Sequence, residues 1–332
     1  MKRREFIGLI GGSVALPFTA RAQRLAKMKR VAVASPSTDV RDVVASNDLF
    51  RPWFEELRRL GYVEGQNLIV ERYSAEGRTD RFDQLARDVV NTHPDVIFVR
   101  SNILVLAFKA ATATIPIVAT VGDPVSSGIA PSIAHPGGNI TGVTSDAGIE
   151  IMGKRLGLLL EAIPKPSNAK HLGSRAAWEL DIGRSVQEAA RQLGIAVTGA
   201  LLDGTIDEAE YRSLFGAMER DRADALMVSS EGVNLTYAPL IVELAAKSRI
   251  PTIYAYRSTV ALGGLMAYAY DLADAWRQHA NITVQILKGA NPGDIPFYQA
   301  TKFQFVINVK TAKALRLEIP PALLLRADEV IE

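Results

Sequence analysis

The sequence predicts an α/β protein with two halves, each built on a parallel sheet that helices cover on both faces. Short apolar runs, such as 95–99 and 117–121, have the length and continuity of strands buried on both sides. Segments with helical spacing of apolar residues separate these runs. The alternation stops at the Gly- and Pro-rich stretch 121–145 and then restarts, which indicates two α/β units of similar size.

The first half contains four predicted strands and three predicted helices. The strands are 31–34, 68–70, 95–99 and 117–121, and the helices are 43–60, 80–91 and 104–114. Gly61 follows the first helix at the place where a helix C-terminal cap is expected. Ligands of open α/β sheets bind beyond the carboxyl ends of the strands, so the residues that follow each strand are candidates for a site.

The second half repeats this architecture, although no repeat is visible at the level of residues. Its predicted helices are 152–162, 181–193, 207–220 and 235–248, and its predicted strands are 169–172, 196–201, 225–228, 251–254 and 265–268. The tail adds a helix over 272–288, an extended run over 302–309 and a short helix over 311–315. We predict 140–145 to be an edge strand that leads into the first crossing between the halves.

The first 22 residues have the three-part form of an export signal. A basic start precedes a short apolar stretch, and Ala20-Arg21-Ala22 fits an A-x-A cleavage site. Arg3-Arg4 begins a twin-arginine-like signature. We therefore expect cleavage after about Ala22 and a periplasmic mature protein. With no cysteine in the chain, we expect no lipid-anchored cysteine at the cleavage point.

Charge and motifs argue against several classes of function. The formal net charge is +2, and residues 1–22 contribute +3 of it, so nucleic-acid binding gains no support. None of the four histidines has metal-ligand spacing, and cysteine is absent. The run 137–142 does not match a phosphate-binding loop, and no G-x-S-x-G pattern is present. We expect no catalytic residues, no metal and no cofactor, although the sequence does not exclude a pair of catalytic carboxylates like that of a glycosidase.

Polar residues at the predicted strand ends of the first half are candidate ligand contacts. Ser101 and Asn102 open a helix, where they could hold an anion or simply cap the helix. Asp123 could pair with an ammonium group or fix its own turn before a proline. Ser35 and Ser37 follow the first strand in the same way.

The second half offers aromatic and charged candidates near one predicted edge. Trp178 and Tyr256 supply aromatic faces that can stack on planar or cationic ligands, although a single aromatic residue is more often packed in a core or on the surface. Glu231 and Arg257 follow two strands, and Thr144 is placed as a hinge residue close to the ligand. The candidate ligand-binding residues are therefore Ser35, Ser37, Ser101, Asn102, Asp123, Thr144, Trp178, Glu231, Tyr256 and Arg257.

Several short motifs, spread over nearly the whole chain, together resemble one family. They lie at 61–67, 114–118, 122–125, 135–143, 222–226, 263–266, 286–290, 302–303, 307–308 and 326–332. In these segments the chain resembles the substrate-binding proteins of ABC importers, in the family that includes tryptophan-type binders with the type I periplasmic binding protein fold. The loops 35–40 and 171–178 depart from the family pattern, so the resemblance does not identify tryptophan as the ligand of this chain.

The resemblance implies two Rossmann-like lobes joined by a hinge, with a small molecule between them. One lobe would comprise 30–143 with about 271–300, and the other 144–270 with about 301–332. The hinge crossings would lie near 143–146, 268–272 and 300–303. The family implies a monomeric, non-enzymatic protein that does not span the membrane and delivers its ligand to an ABC permease with its ATPase. An amino acid or an aromatic acid is the expected ligand; a ligand sensor subunit and an enzyme on the same scaffold are the alternatives.

Overall fold

The computed structural model of the chain describes residues 28–144, 149–164 and 166–332. The predicted export signal at 1–22 lies outside the described residues, as does part of the predicted crossing at 143–146. None of the described helices combines the length and the apolar character that a membrane span requires.

Thirteen strands and thirteen helices are assigned within the described residues. The strands are β1 (Lys29–Ser35), β2 (Leu68–Ser74), β3 (Val96–Arg100), β4 (Ile117–Val121), β5 (Ile140–Thr144), β6 (Ala169–Ser174), β7 (Val197–Leu202), β8 (Ala225–Val228), β9 (Thr252–Tyr254), β10 (Met266–Tyr270), β11 (Tyr298–Gln299), β12 (Phe303–Asn308) and β13 (Glu329–Ile331). The helices are α1 (Arg51–Arg59), α2 (Phe82–Asn91), α3 (Asn102–Ala111), α4 (Ile149–Ala162), α5 (Arg175–Ala177), α6 (Gly183–Gln192), α7 (Glu208–Arg220), α8 (Gly232–Thr236), α9 (Ala238–Lys247), α10 (Arg257–Ala261), α11 (Leu272–Leu287), α12 (Val309–Ala314) and α13 (Pro321–Leu324). A π-helical turn at Trp178–Ile182 joins α5 to α6, and 3-10 turns lie at Val40–Asp42, Thr79–Arg81 and Pro292–Asp294.

The strands form two sheets, which confirms the predicted α/β class with parallel sheets. The first sheet has the order β11-β5-β4-β3-β1-β2, and all of its pairs are parallel. The second has the order β13-β12-β10-β9-β8-β6-β7, in which only β10 and β12 pair antiparallel. We call the first sheet with its helices the first lobe, and the second sheet with its helices the second lobe.

Helices cover both faces of each sheet because successive strand residues point to opposite sides. In the first lobe, α1 and α11 pack with Phe98 on one face, while α2 and α3 pack with Ile97 on the other. In the second lobe, α4 and α6 cover one face, and α7 and α9 cover the other. Burial on both sides explains why the strand sequences are continuous apolar runs.

The chain passes between the lobes three times. It leaves β5 for α4 in the second lobe, returns from β10 to α11, and crosses again from β11 to β12. These passages are on the β5 and β10 side of the sheets. The strands β2 and β7 lie at the opposite edges, so the loops that follow them are far from the passages.

Three predicted elements differ from the structure for local reasons. The helix predicted over 43–60 begins only at Arg51, since Pro52 occupies its first turn and the Asn47 side chain accepts from Leu49 N. The helix predicted over 235–248 is interrupted at Tyr237, and α9 begins at Ala238 with Pro239 in its first turn. The predicted edge strand at 140–145 is not an edge, because β11 pairs with β5.

Candidate functional site

A cavity lies between the lobes at the carboxyl ends of the central strands. It encloses an empty volume of ≈ 750 Å³, part of which is open to solvent. Its walls come from both lobes: Arg100, Ser101, Asn102, Ile103, Thr120, Val121, Gly122, Asp123 and Ser126 on one side, and Met152, Ala177, Ile182, Ser185, Ser230, Glu231, Gly232, Tyr256 and Tyr270 on the other. We call it the main chamber; its mixture of apolar, aromatic and polar wall residues is typical of a small-molecule site.

A smaller chamber of ≈ 360 Å³ adjoins the main chamber. The two share Ser101, Ile103, Glu231 and Gly232 in their walls, and Ser37 lines only the smaller one. The structure therefore places six of the ten predicted site residues along one continuous cleft: Ser37, Ser101, Asn102, Asp123, Glu231 and Tyr256.

The wall of the first lobe is built around the turn between β3 and α3. Ser101 occupies the N-cap position of α3 without a capping hydrogen bond from its side chain, and its backbone φ is +92°, a conformation that residues with side chains rarely adopt. Such strain of about 1–3 kcal/mol persists where the surrounding structure fixes the backbone, and it is frequent at ligand sites. Here it turns the chain sharply at the edge of the main chamber.

Asn102 holds the neighbouring loop in place. Its Oδ1 accepts a hydrogen bond from Gly122 N at 2.9 Å, and its Nδ2 donates to Ser127 Oγ at 2.6 Å. Asp123 Oδ1 accepts from Val125 N at 2.8 Å and from Ser126 N at 3.2 Å, so this carboxylate fixes its own turn while it lines the cavity. Both roles that the sequence left open for Asp123 are compatible with this position.

Glu231 connects two loops on the wall of the second lobe. Its carboxylate accepts hydrogen bonds from Ser174 N at 2.8 Å, from Ser174 Oγ at 2.5 Å and from Ser229 Oγ at 2.8 Å. The loops after β6 and β8 are thereby tied together. Tyr256, whose hydroxyl donates to Ser230 O, is buried beside this wall and packs into the core cluster of the first lobe.

Four predicted site residues are not brought to the cleft. Ser35 is buried, and its Oγ accepts from Thr38 N at 2.9 Å within the loop after β1. Thr144 is buried and donates to Tyr298 O, and the Trp178 ring packs against His171 at 5.5 Å between centroids. Arg257 forms a surface ion pair with Glu329 at 2.6 Å. Local packing and pairing therefore account for these four side chains.

Arg100 is a wall residue that the sequence reasoning missed. It ends β3, is only 6% exposed, and its Nε has no hydrogen-bond partner among the described residues. Its guanidinium carbon lies 5.1 Å from the centre of the Trp276 ring, a cation–π contact worth about 2 kcal/mol or more when it is desolvated. Burying a lone charge costs several kcal/mol, and the ring supplies no counter-charge to offset it. The sequence did contain one indication of this role, because Arg100 is a charged residue directly at the end of an apolar strand.

The mouth of the cleft is closed on the side away from the chain passages. Ser37 Oγ lies 3.2 Å from Thr236 Oγ1, and Ile206 N donates to Gly77 O at 3.3 Å. Arg78 forms an isolated antiparallel bridge with Thr205 beside this contact. The lobes therefore touch through the loops that follow β1 and β2 in one lobe and through the loop after β7 and the end of α8 in the other.

His279, behind the cavity wall, predicts a pH dependence of stability. It is fully buried, and its Nε2 lies 3.1 Å from Val118 O. Burial lowers its pKa from 6.5 to about 3, and the charge of Arg100 adds to the lowering. Below pH 6.5 the imidazole of His279 binds a proton in the unfolded chain but stays neutral in the folded chain. The free energy of unfolding therefore decreases as the pH falls from 6.5 toward 3.

Because of His279, we expect the free energy of unfolding to be about 2 kcal/mol lower at about pH 5 than at about pH 7. Urea unfolding at both pH values, on the wild type and on His279→Gln, measures the difference. The variant should lose less stability between the two pH values than the wild type. Equal losses in the two proteins would show that His279 does not titrate in this way.

Comparisons with known proteins agree with this architecture. The family model described as ABC transporter substrate binding protein matches residues 50–331. A tyrosine-binding protein of Clostridioides difficile is 26% identical over 274 residues, covering 80% of this chain and 76% of the relative. A solved conserved domain protein of Vibrio cholerae has a TM-score of 0.80 at 25% identity, covering 92% of this chain and all of that one. A solved ABC domain of Streptococcus pneumoniae in complex with L-Trp has a TM-score of 0.77 at 22% identity, covering 91% and 99%.

Proposed function

The chain belongs to the ABC transporter substrate binding protein family, and we propose that it captures its ligand in the periplasm and delivers it to an ABC permease. The family is one of binding proteins rather than of enzymes. The observation that carries the proposal is the main chamber, because both lobes supply its walls at the carboxyl ends of their strands. A ligand there would be enclosed by two separate bodies.

We propose that the ligand is an amino acid or an aromatic acid. Tyr256 and Tyr270 give the chamber aromatic walls, with ring centroids 5.9 Å apart. Asp123 places a carboxylate there that can receive an ammonium group. The relative from Clostridioides difficile, named for tyrosine binding, supports this class of ligand without fixing the compound.

Lobe movement is the proposed means of capture. The three chain passages lie on one side of the cleft, and the contacts between Gly77 and Ile206 lie on the other. Such an arrangement allows rotation about the passages, with the mouth opening and closing. The predicted crossings near 143–146, 268–272 and 300–303 would then serve as the hinge, and the closed form would be the one presented to the permease.

Export by the N-terminal 22 residues is part of the same proposal. Their basic start, apolar stretch and A-x-A site support this route, and the mature chain would begin after about Ala22. Cell fractionation should recover the mature chain in the periplasmic fraction. Recovery of the uncut chain in the cytoplasm alone would contradict the proposed location.

A thermal-shift screen tests the binding function. Native mass spectrometry of the purified protein would first identify any small molecule that co-purifies. Amino acids and aromatic acids would then be added singly, and a true ligand at 100 times its Kd should raise the unfolding free energy by about 2.7 kcal/mol. The compound should be recovered unchanged. Its conversion into a product would favour an enzyme, and the absence of any binding compound would remove the support for transport.

A further inference from the structure

Arg100 is the only positively charged side chain among the described residues that line the main chamber. Among the same lining residues, Asp123 and Glu231 are the two acidic side chains. Asp123 receives two backbone N–H groups of its own turn, and Glu231 receives three donors from the loops after β6 and β8. Both carboxylates are thus engaged by neighbours other than Arg100.

The surroundings of Arg100 hold its guanidinium in place without neutralising it. The Trp276 ring lies 5.1 Å away on one side, and this ring is itself packed against Phe98 and Phe50 in the core. Aromatic faces attract a cation but carry no net charge. A guanidinium held in this way keeps its N–H groups for a planar anion, which it can bind through two parallel hydrogen bonds.

We propose that Arg100 is the specificity-determining residue of the main chamber and that it selects ligands carrying a carboxylate group. This inference rests on the proposed ligand-binding function and adds the chemical group that a ligand must present. A carboxylate on the guanidinium supplies the missing counter-charge, so binding relieves the cost of burying Arg100. Neutral and purely cationic compounds gain nothing from this contact.

The position of Arg100 also links recognition to closure of the cleft. A Cβ atom at Gly232, the first residue of α8 in the second lobe, would lie 3.6 Å from Arg100 Nη2. The guanidinium therefore lies at the boundary between the lobes, although β3 belongs to the first. A carboxylate on Arg100 is consequently within reach of both walls.

Two sources of carboxylate fit this chemistry, and the test separates them. The first is an α-amino acid, whose ammonium group would be available to Asp123; the second is an acid without an amino group. Matched probes are L-tyrosine, 3-(4-hydroxyphenyl)propionate, tyramine and L-tyrosinamide, with the corresponding tryptophan series and any compound that co-purifies. Calorimetric titration of each probe into the wild type and into Arg100→Met measures the dissociation constants.

We expect every probe that binds the wild type to carry a carboxylate, and the corresponding amine and amide to bind at least ~30-fold more weakly. Arg100→Met should weaken binding of the acids by at least ~30-fold. It should also unfold at a higher temperature than the wild type in the absence of ligand, because an unpaired buried charge is replaced by an apolar chain. A purely structural role for Arg100 would instead lower the unfolding temperature. Arg87→Met is the control; Arg87 is an exposed residue of α2 that donates a hydrogen bond to Gln84, and this variant should bind as the wild type does.

Three outcomes would overturn the inference. A neutral or cationic probe that binds as tightly as its acid would show that the carboxylate is not required, while leaving the transport function intact. Unchanged affinity of folded Arg100→Met for an acid would show that another residue holds the carboxylate. If the wild type binds no probe and carries no co-purified small molecule, the inference and the proposed function fail together.

Discussion

Replacing Gly142 by alanine is expected to cost more than about 4 kcal/mol of unfolding free energy, which is in the exceptional range for one substitution. Gly142 lies within β5 and pairs with Ala119 of β4. A Cβ atom there would lie 1.9 Å from Ala119 O and 2.6 Å from Ala119 N. Because both obstacles are backbone atoms in the middle of a sheet, no rotation of a side chain can relieve the clash.

Urea unfolding followed by circular dichroism measures this effect, and Gly138→Ala is a matched control. Gly138 lies shortly before β5, and a Cβ atom there would meet nothing within 4 Å. The control should stay within about 0.5 kcal/mol of the wild type, as surface substitutions usually do. If Gly142→Ala were as stable as the control, the register that pairs β4 with β5 would be wrong.

Gly77→Val is expected to weaken ligand binding by at least tenfold, about 1.4 kcal/mol, while each lobe stays folded. Gly77 follows β2 at the mouth of the cleft, and a Cβ atom there would lie 2.7 Å from Ile206 O in the opposite lobe. The clash is again with backbone, and it exists only when the lobes meet. Closure would therefore be blocked, and the ligand would lose contacts from one wall.

The control for this variant separates closure from local strain. Gly77 and Gly65 both have positive φ values, +79° and +80°, so valine is strained at either position. Only at Gly77 does the added side chain meet the other lobe, since a Cβ atom at Gly65 has open space. Titration of the tightest acid from the probe panel should show weakened binding in Gly77→Val and not in Gly65→Val. Equal affinities in both variants would show that the mouth contact does not contribute to binding.

The fold was predictable because burial imposes a strong pattern on strands with helices on both sides. The strand at Val96–Arg100 is buried throughout, and the sequence prediction differed from it by only one residue at each end. The ends of helices and strands that depend on single side chains were harder to predict from the sequence. The start of α1 at Arg51 depends on Pro52 and on a local hydrogen bond of Asn47, and the helical spacing of apolar residues does not indicate either effect.

The site was predictable only as a position at strand ends. Ser101, Asn102 and Asp123 were found because they follow β3 and β4, whose carboxyl ends point into the cleft. Trp178 and Arg257 were also predicted from residue type and a position after a strand, but their contacts with His171 and Glu329 direct the two side chains away from the cleft. Arg100 was missed because its burial and its cation–π contact with Trp276, 176 positions away, exist only in the folded chain.

The central claim is that a small molecule is held between the two lobes, and hydrogen exchange measured by mass spectrometry tests it most directly. The tightest probe from the panel would be added to the wild type, and amide protection would be compared with the ligand-free protein. We predict simultaneous protection of 100–103 and 120–126 in the first lobe and of 229–232 and 256–257 in the second. Protection confined to one lobe, or to a surface away from the main chamber, would contradict the claim.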